Sequence, residues 1–243
     1  LKNKGYDVDI INYINPYEHR IFKWSYKENN KITGYITSFL KNIILGKKRY
    51  YNKGFKNVEK YYHLTDPCAT KIEQLHDMNY DILIAGSDQI WNPLITGGLD
   101  SVFLLQFGNA SKRISVASSL GSNKPTEEEE KIFRKAFEDF SYISVREQYA
   151  KNCLQSLTNK NIKVLMDPTF LFNKNEWINL LGKKSKLYDL KEKYILTYFI
   201  SGKKSSYQDR VLEYSKKMNC PVWSIQFTNY TWKVTKKKIL GAS

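Results

Sequence analysis

Small polar and charged side chains follow an apolar run at Gly86, and they are the groups in this sequence best placed to bind a ligand. Residues 82–85 have the length and the β-branched content of a buried strand. Gly86 then allows backbone angles, or a close approach, that a side chain would forbid. Ser87, Asp88 and Gln89 come next, and their hydroxyl, carboxylate and amide groups suit the edge of a sugar or a nucleotide.

Arg146 is a second candidate, because it stands where a predicted strand gives way to a predicted helix. A planar guanidinium in such a place suits a carboxylate or a phosphate, since its fork of donors and the helix amides both meet the anion. Ser118, Ser119 and Asp167 also follow predicted strands. The sequence therefore predicts a site for an anion and a sugar.

Each of these residues also has a purely structural explanation. Asp88 could cap the turn after Gly86, a role that aspartate often fills. Arg146 could pair with its neighbour Glu147 or with another surface acid at little energetic consequence, and Asp167 could simply end a strand. The sequence alone leaves these alternatives open.

The candidate residues need parallel strands whose carboxyl ends share one edge. Strands are predicted at residues 8–11, 82–85, 114–117, 142–145 and 163–166, and helices at 69–78, 126–140 and 149–157. Strands separated by helices of this length predict right-handed crossovers and a mostly parallel sheet. Open α/β sheets bind their ligands at the carboxyl edge.

Two of the predicted helices have a clear apolar face. Thr126 and Glu129 have the spacing of a capping box, and the acidic run at 127–130 complements the helix dipole rather than forming a catalytic carboxylate cluster. The apolar face of this helix comprises Ile132, Phe133, Ala136, Phe137 and Phe140. The stripe of the next helix comprises Tyr149, Ala150, Cys153, Leu154 and Leu157.

The order of elements predicts two α/β domains that enclose a cleft. Residues 1–185 form a Rossmann-like N-terminal domain with a helical insertion at about 16–62, and residues 186–243 begin a second Rossmann-like domain after a charged stretch at 183–193. The second domain starts with a strand, a helix and a strand at 194–200, 206–218 and 222–225. Both ends lack elements that such domains need, so we expect the domains to continue beyond this chain.

The composition is that of a soluble globular protein with a basic surface. The 243 residues are 42% hydrophobic and 26% charged, and their net charge is +15. Only six of the 39 basic residues are arginine, and no nucleic-acid module accompanies them, so we expect no nucleic-acid partner. The basic surface favours anionic substrates, or peripheral contact with the negative inner face of the membrane.

Metal sites, disulfide frameworks and membrane spans are disfavoured. The three cysteines lie far apart without a CxxC pair, and the three histidines have no metal-ligand spacing. The longest apolar runs, such as residues 194–200, are far shorter than the roughly 20 residues of a transmembrane helix. We therefore expect a cytoplasmic protein in a reducing compartment, and no ligand cluster in the sequence suggests a metal site.

Three motifs in this order resemble those of the polysaccharide pyruvyl transferase family. They are DILIAGSDQIWN at 81–92, ISVRE at 143–147 and VLMDPTF at 164–170. The opening GYDVDIINY and the strand YILTYFI fit the same pattern, so that the resemblance covers essentially the whole chain. It implies a two-domain α/β fold similar to that of GT-B glycosyltransferases.

The resemblance also implies a reaction. Members of the family transfer a pyruvyl group from phosphoenolpyruvate, the donor substrate, to two hydroxyls of a sugar in a surface polysaccharide or its lipid-linked precursor, forming a ketal; no cofactor is implied. Such chemistry needs cations for the donor's carboxylate and phosphate, and a general acid for its methylene carbon. The arginine that matches Arg146 is associated with phosphoenolpyruvate. The predicted catalytic residues are Arg146 and Asp88, and the predicted donor-binding residues are Gly86, Ser87, Asp88, Gln89 and Arg146.

The chain departs from the family pattern in one respect. A histidine-containing motif similar to Ser-Phe-His-Gly, expected in the second domain, does not occur in these 243 residues. We therefore expect the general acid to lie outside them, and the isolated chain to be inactive. Two alternatives stay open: a GT-B-like glycosyltransferase that uses a nucleotide sugar, and a non-catalytic glycan-binding relative.

Overall fold

The structure is a computed structural model that describes Leu1 and residues 4–17, 63–181, 193–199 and 206–226. These residues divide into two compact units, one up to Trp177 and one from Ile178 onward. The predicted insertion at about 16–62 and the charged stretch at 183–193 lie almost entirely outside the described residues. No described helix has both the length and the apolar character needed to cross a membrane.

Strands and helices alternate in the first unit from β1 onward, except that β3 is followed directly by β4. In chain order they are β1 (Asn79–Ala85), α1 (Pro93–Thr96), β2 (Asn109–Ser115), α2 (Glu127–Asp139), β3 (Phe140–Tyr142), β4 (Ser144–Val145), α3 (Gln148–Leu154), β5 (Lys163–Val164) and α4 (Lys174–Leu181), whose last four residues belong to the second unit. The sheet orders are β1-β2-β3 and β4-β5, and every pairing is parallel. The predicted α/β class and the parallel pairing are confirmed, in small sheets.

Two predicted elements near the start of the unit are wrong in type. In the described part of the chain, the strand predicted at 8–11 contributes one isolated parallel bridge, Ile10 to Leu64, and the residues after it contribute another, Tyr13 to Ala69. Between these bridges the backbone amide of Asn12 donates to the Thr65 hydroxyl at 3.0 Å, so a side chain takes the place of a ladder bond. The helix predicted at 69–78 is a single 3₁₀ turn at Ile72–Leu75.

Three predicted strands have different bounds. The strand predicted at 114–117 starts at Asn109 and ends at Ser115, and Ala117 leaves the extended conformation with φ +50°. The strand predicted at 142–145 is divided at the buried Ile143, because β3 pairs with β2 and β4 pairs with β5. The strand predicted at 163–166 ends at Val164.

Helix α2 begins as its sequence predicts. The Thr126 hydroxyl accepts from the amide of Glu129 at 3.3 Å, and the Glu129 carboxylate accepts from the amide of Thr126 at 2.8 Å. The four glutamates at 127–130 occupy the first turn, where they complement the helix dipole. The predicted apolar face is buried except for Ile132, which is exposed. Ile132 lies at the rim of the apolar stripe, beyond the reach of the core.

The core of the first unit lies between α2, α3 and one face of the sheets. Its largest fully buried side chains include Trp91, Phe133, Phe137, Phe140 and Leu154. Of the stripe predicted for α3 and the 3₁₀ turn after it, Ala150, Leu154 and Leu157 are buried, Cys153 is half-buried and Tyr149 is exposed. This packing fixes the strands whose ends carry the candidate residues.

The second unit contains a parallel strand pair and a helix. Strand β6 (Ile195–Phe199) pairs with β7 (Val222–Gln226), and α5 (Ser206–Lys217) lies between them in the chain. The strand, helix and strand that the sequence predicts here are therefore confirmed to within one or two residues.

Candidate active site

In the first unit, the chain segments that follow the strands remain hydrogen-bonded to one another. Ser118 forms a parallel bridge with Val145, and the Arg146 amide donates to the Ser118 carbonyl at 3.1 Å. On the other side of the same strand end, the Leu165 amide donates to the Val145 carbonyl at 2.9 Å. These bonds extend the pairing past β2, β4 and β5, and they bring the predicted ligand-binding segments to one edge.

Two buried serines join the strands beneath this edge. The Ser115 hydroxyl donates to the Ser144 carbonyl at 3.0 Å and accepts from the Ser144 amide at 2.9 Å. In return, the Ser144 hydroxyl donates to the Ser115 carbonyl at 2.6 Å and accepts from the Ala117 amide at 3.1 Å. Such pairing satisfies the polar groups that the divided sheet would otherwise leave buried and unbonded.

Ser87, Arg146 and Asp167 meet at the edge, and we call them the strand-end cluster. Nη2 of Arg146 lies 3.0 Å from Oδ2 of Asp167 and donates to the Ser87 hydroxyl oxygen at 3.3 Å. The Ser87 hydroxyl in turn donates to Oδ2 of Asp167 at 3.2 Å. The side chains of Arg146 and Asp167 remain 28% and 25% exposed, so the ion pair is accessible from solvent.

Asp167 also caps the 3₁₀ turn at Pro168–Leu171. Its Oδ1 accepts from the amide of Thr169 at 2.9 Å and from the Thr169 hydroxyl at 2.8 Å. These two bonds, with smaller contributions from Ser87 and Arg146, hold the pKa of Asp167 below its usual value against the opposing effect of burial. The carboxylate is therefore ionised at neutral pH and both of its oxygens are engaged.

Stability should depend on pH through this carboxylate. Because folding lowers the pKa of Asp167, its contribution is present above the unfolded-state pKa of about 4 and is lost as the pH falls through the lower folded-state pKa. At neutral pH we expect Asp167→Asn to unfold with about 1 kcal/mol less free energy than the wild type, since the pair is partly exposed. Urea unfolding of both proteins from pH 7 to pH 3 measures the difference, which should shrink with acidification; a difference that grows would contradict the assignment.

Arg146 pairs with Asp167 and not with its neighbour Glu147, so the ion pair that the sequence offers as a structural alternative is present, with another acid as the partner. Residue 147 is extended, with φ −110° and ψ 144°, and successive side chains of extended backbone point in opposite directions. Oε1 of Glu147 instead accepts from the Ser119 hydroxyl at 2.6 Å, and the Ser119 oxygen accepts from the Gly121 amide at 2.9 Å. Oε2 of Glu147 is buried without a hydrogen bond in the described part of the chain.

Asp88 and Gln89 lie beside the strand-end cluster in sequence, but no hydrogen bond links either of them to it in the described part of the chain. Asp88 is exposed, and its Oδ1 accepts from the Gln89 amide at 2.8 Å. Oε1 of Gln89 accepts from the Asn92 side-chain amide at 2.8 Å, and the Asn92 side chain caps α1. The side-chain amide of Gln89 is thus hydrogen-bonded within the loop, whereas the Asp88 side chain is exposed to solvent.

Gly86 is required by the backbone at the head of this loop. Its φ is +138°, and a Cβ built on it would collide with the carbonyl oxygen of Val116. The close approach that the sequence predicts for Gly86 is therefore confirmed, and it is an approach to a neighbouring strand end.

Comparison with known proteins decides the family. The family model for polysaccharide pyruvyl transferases matches residues 1–240. The chain belongs to the polysaccharide pyruvyl transferase family. Family membership implies a polysaccharide pyruvyl transferase in general terms, and the resemblance predicted from the three motifs is confirmed. A search of curated proteins and a search of solved structures gave no match.

In this member of the polysaccharide pyruvyl transferase family, two features of the edge are missing from the sequence-based prediction. One is Asp167 as the partner of Arg146, and the other is the link between Ser119 and Glu147. Position could have indicated the first, because Asp167 is the acidic residue that follows β5, and β5 pairs with the strand preceding Arg146. No group of three or more potential metal ligands occurs among the described residues.

Proposed function

We propose that this polysaccharide pyruvyl transferase takes its pyruvyl group from phosphoenolpyruvate, and that Arg146 binds the donor. The observation that carries the proposal is the state of the Arg146 guanidinium. It is oriented through Nη2 by an ion pair and a hydroxyl, and the side chain remains 28% exposed, so its exposed part can meet a ligand. A guanidinium has five N–H donors, and carboxylate and phosphate are the groups that its planar fork recognises best.

Asp88 supplies the complementary group for the acceptor. Its exposed carboxylate has no ion pair in the described part of the chain, so it can accept a hydrogen bond from a sugar hydroxyl. As the oxygen of that sugar hydroxyl attacks C2 of the donor, the hydroxyl loses its proton and the C3 methylene carbon gains one. A second sugar hydroxyl then attacks C2, its proton leaves with the departing phosphate, and the ketal is complete. We assign the hydroxyl contact to Asp88 and the proton donor to no described residue. We assign Gly86, Ser87 and Gln89 to the surface that binds the donor.

The basic surface supports a proposal for the acceptor and its location. A net charge of +15 attracts the protein to anionic lipids at the cytoplasmic face of a membrane. We propose that the acceptor is a sugar of a surface polysaccharide or its lipid-linked precursor, and that the protein works in the cytoplasm at that face.

We also propose that two Rossmann-like domains are arranged as in GT-B enzymes, with the boundary between them near residue 185.

Calorimetry of the full-length protein with phosphoenolpyruvate tests the donor. We expect wild-type binding, and a loss of at least about 100-fold in affinity for Arg146→Ala, because charge-assisted hydrogen bonds to the anion are removed. Arg146→Lys should recover part of this loss, since an ammonium keeps the charge without the planar fork. Arg134→Ala is the matched control: it also removes an arginine, one that donates to the Ser156 carbonyl and to no member of the strand-end cluster in the described part of the chain, and should leave the affinity unchanged.

The same titrations separate the competing functions. Unchanged affinity in Arg146→Ala would remove Arg146 from the site. Binding of a nucleotide sugar in place of phosphoenolpyruvate would favour a glycosyltransferase, and binding of neither donor would favour a glycan-binding relative.

A further inference from the structure

We infer that Asp167 is a positioning residue for the donor site, and that it orients the Arg146 guanidinium and the Ser87 hydroxyl through Oδ2 while Thr169 holds its Oδ1. This inference rests on the proposed role of Arg146 in donor binding. It assigns Asp167 and Thr169 a part in donor recognition, although neither of them contacts the donor.

The two oxygens of Asp167 have separate tasks. Oδ1 accepts two hydrogen bonds from Thr169, one from the amide and one from the hydroxyl. Oδ2 meets Nη2 of Arg146 and the hydroxyl of Ser87. The carboxylate is thus fixed from one side by its own turn, and it fixes from the other side two residues that come from different strand ends.

This division leaves the guanidinium oriented but available. A carboxylate with two free oxygens pairs with arginine in a bidentate manner and occupies two of its donors. Because Thr169 already occupies Oδ1, Asp167 offers Arg146 a single oxygen, and that oxygen and the Ser87 hydroxyl both meet the same nitrogen, Nη2. Thr169 therefore limits the number of guanidinium N–H donors that the ion pair with Asp167 occupies.

Two other roles for Asp167 are less well supported. A general base needs a carboxylate that readily takes a proton, whereas the bonds from Thr169 stabilise its ionised form. If Asp167 instead competed with the donor for Arg146, its carboxylate would have to move away when the donor binds, whereas two hydrogen bonds hold Oδ1 to the 3₁₀ turn. That role also leads to the opposite prediction, since removing the charge of Asp167 would then tighten donor binding.

The test uses substitutions at Asp167 and Thr169 in the full-length protein, with phosphoenolpyruvate affinity measured by calorimetry and KM and kcat measured at saturating acceptor. For Asp167→Asn we expect about ten-fold weaker binding, the size of one charge-assisted hydrogen bond. Thr169→Val keeps the shape and the backbone amide but loses the hydroxyl, and should weaken binding about three-fold; Thr169→Ser should restore wild-type affinity. The loss should appear in KM for the donor more than in kcat.

Trp177→Phe is the structural control. Nε1 of Trp177 donates to the Thr169 carbonyl at 3.0 Å, so this substitution loosens the same turn without touching the Asp167 carboxylate. It should lower stability and leave donor affinity unchanged. Equal losses of affinity in Trp177→Phe and Thr169→Val would overturn the inference, because the effect would then be a general loosening of the turn. Unchanged or tighter donor binding in Asp167→Asn would overturn it as well.

A measurement without donor separates failure of this inference from failure of the proposed function. In ¹⁵N-labelled protein the Nη signals of Arg146, assigned with Arg146→Lys, should show slow rotation that disappears in Asp167→Asn. If the wild type does not bind phosphoenolpyruvate, the proposed function fails, and these signals still decide the inference. Slow rotation lost in Asp167→Asn would support Asp167 as the group that orients Arg146, and free rotation in the wild type would overturn it.

Discussion

Replacement of Gly86 by alanine is expected to lower the free energy of unfolding of the first unit by about 3–5 kcal/mol and to abolish donor binding. Two costs combine at this position. The φ of Gly86 is +138°, which residues with a Cβ rarely adopt. The added Cβ would also collide with the carbonyl oxygen of Val116 and lie 2.9 Å from its carbonyl carbon.

A side-chain movement cannot relieve this collision, because the carbonyl oxygen and carbonyl carbon of Val116 both belong to the backbone. Val116 is held to the end of β1 by a hydrogen bond from its amide to the Ala85 carbonyl at 2.8 Å, so it cannot withdraw without breaking that pairing. The alternative is a shift of Gly86 itself. That shift moves Ser87, whose hydroxyl contacts both other members of the strand-end cluster, and this is why we expect the binding site to be lost together with stability.

Gly98→Ala is the matched control for the conformational cost alone. Gly98 has a similar φ of +122°, but a Cβ built on it meets nothing within 4 Å. We expect a loss of about 1–2 kcal/mol, from backbone strain only. Urea unfolding of both variants, monitored by tryptophan fluorescence, measures the difference that is due to the collision. Equal losses in the two variants would show that the approach of Val116 is not what requires glycine at position 86.

The sequence predicts the site to the extent that local patterns and parallel topology determine it. The abrupt stop after residue 85 predicts the end of β1, and the rule that parallel strands share a carboxyl edge predicts that Ser87, Arg146 and Asp167 lie near one another. The capping box and apolar face of α2 are likewise encoded within a few turns, and only Ile132 departs from the prediction.

The remaining features depend on contacts between residues far apart in the chain. Ser87 is 59 residues from Arg146 and 80 from Asp167, and which acid meets the guanidinium depends on strand register at the level of single residues. Charge alone could not prefer Asp167 over the adjacent Glu147, because their directions are set by the backbone. In the same way, the division of the strand at Ile143 follows from competing partners, β2 and β5, and not from its own residues.

Trp91→Ala is expected to lower the free energy of unfolding by about 4–5 kcal/mol. The Trp91 side chain is completely buried. Its ring centroid lies 5.7, 5.7 and 6.1 Å from those of Phe133, Phe137 and Phe140, and two of these contacts have the edge-to-face geometry that favours aromatic pairs. The substitution would leave a cavity between the β1 loop and α2 that rigid neighbouring rings cannot fill.

Trp91→Phe separates packing from hydrogen bonding. It keeps an aromatic ring in the cluster but removes the bond from Nε1 to the Phe103 carbonyl at 3.1 Å, and we expect a loss of about 1.5–3 kcal/mol, less than that of alanine. Thermal and urea unfolding of the three proteins measure both steps. A loss of under about 1 kcal/mol for Trp91→Ala would contradict the packing role.

The same pair of variants distinguishes two explanations of a tryptophan within a ligand-binding motif. Trp91 lies only four residues after Ser87, and an exposed tryptophan there would be expected to stack on a sugar. Its complete burial against α2 indicates instead that it anchors the loop from below. Trp91→Phe should therefore bind phosphoenolpyruvate and acceptor with wild-type affinity at temperatures where it is folded, and a selective loss of acceptor binding in the folded variant would show that the ring contacts the sugar.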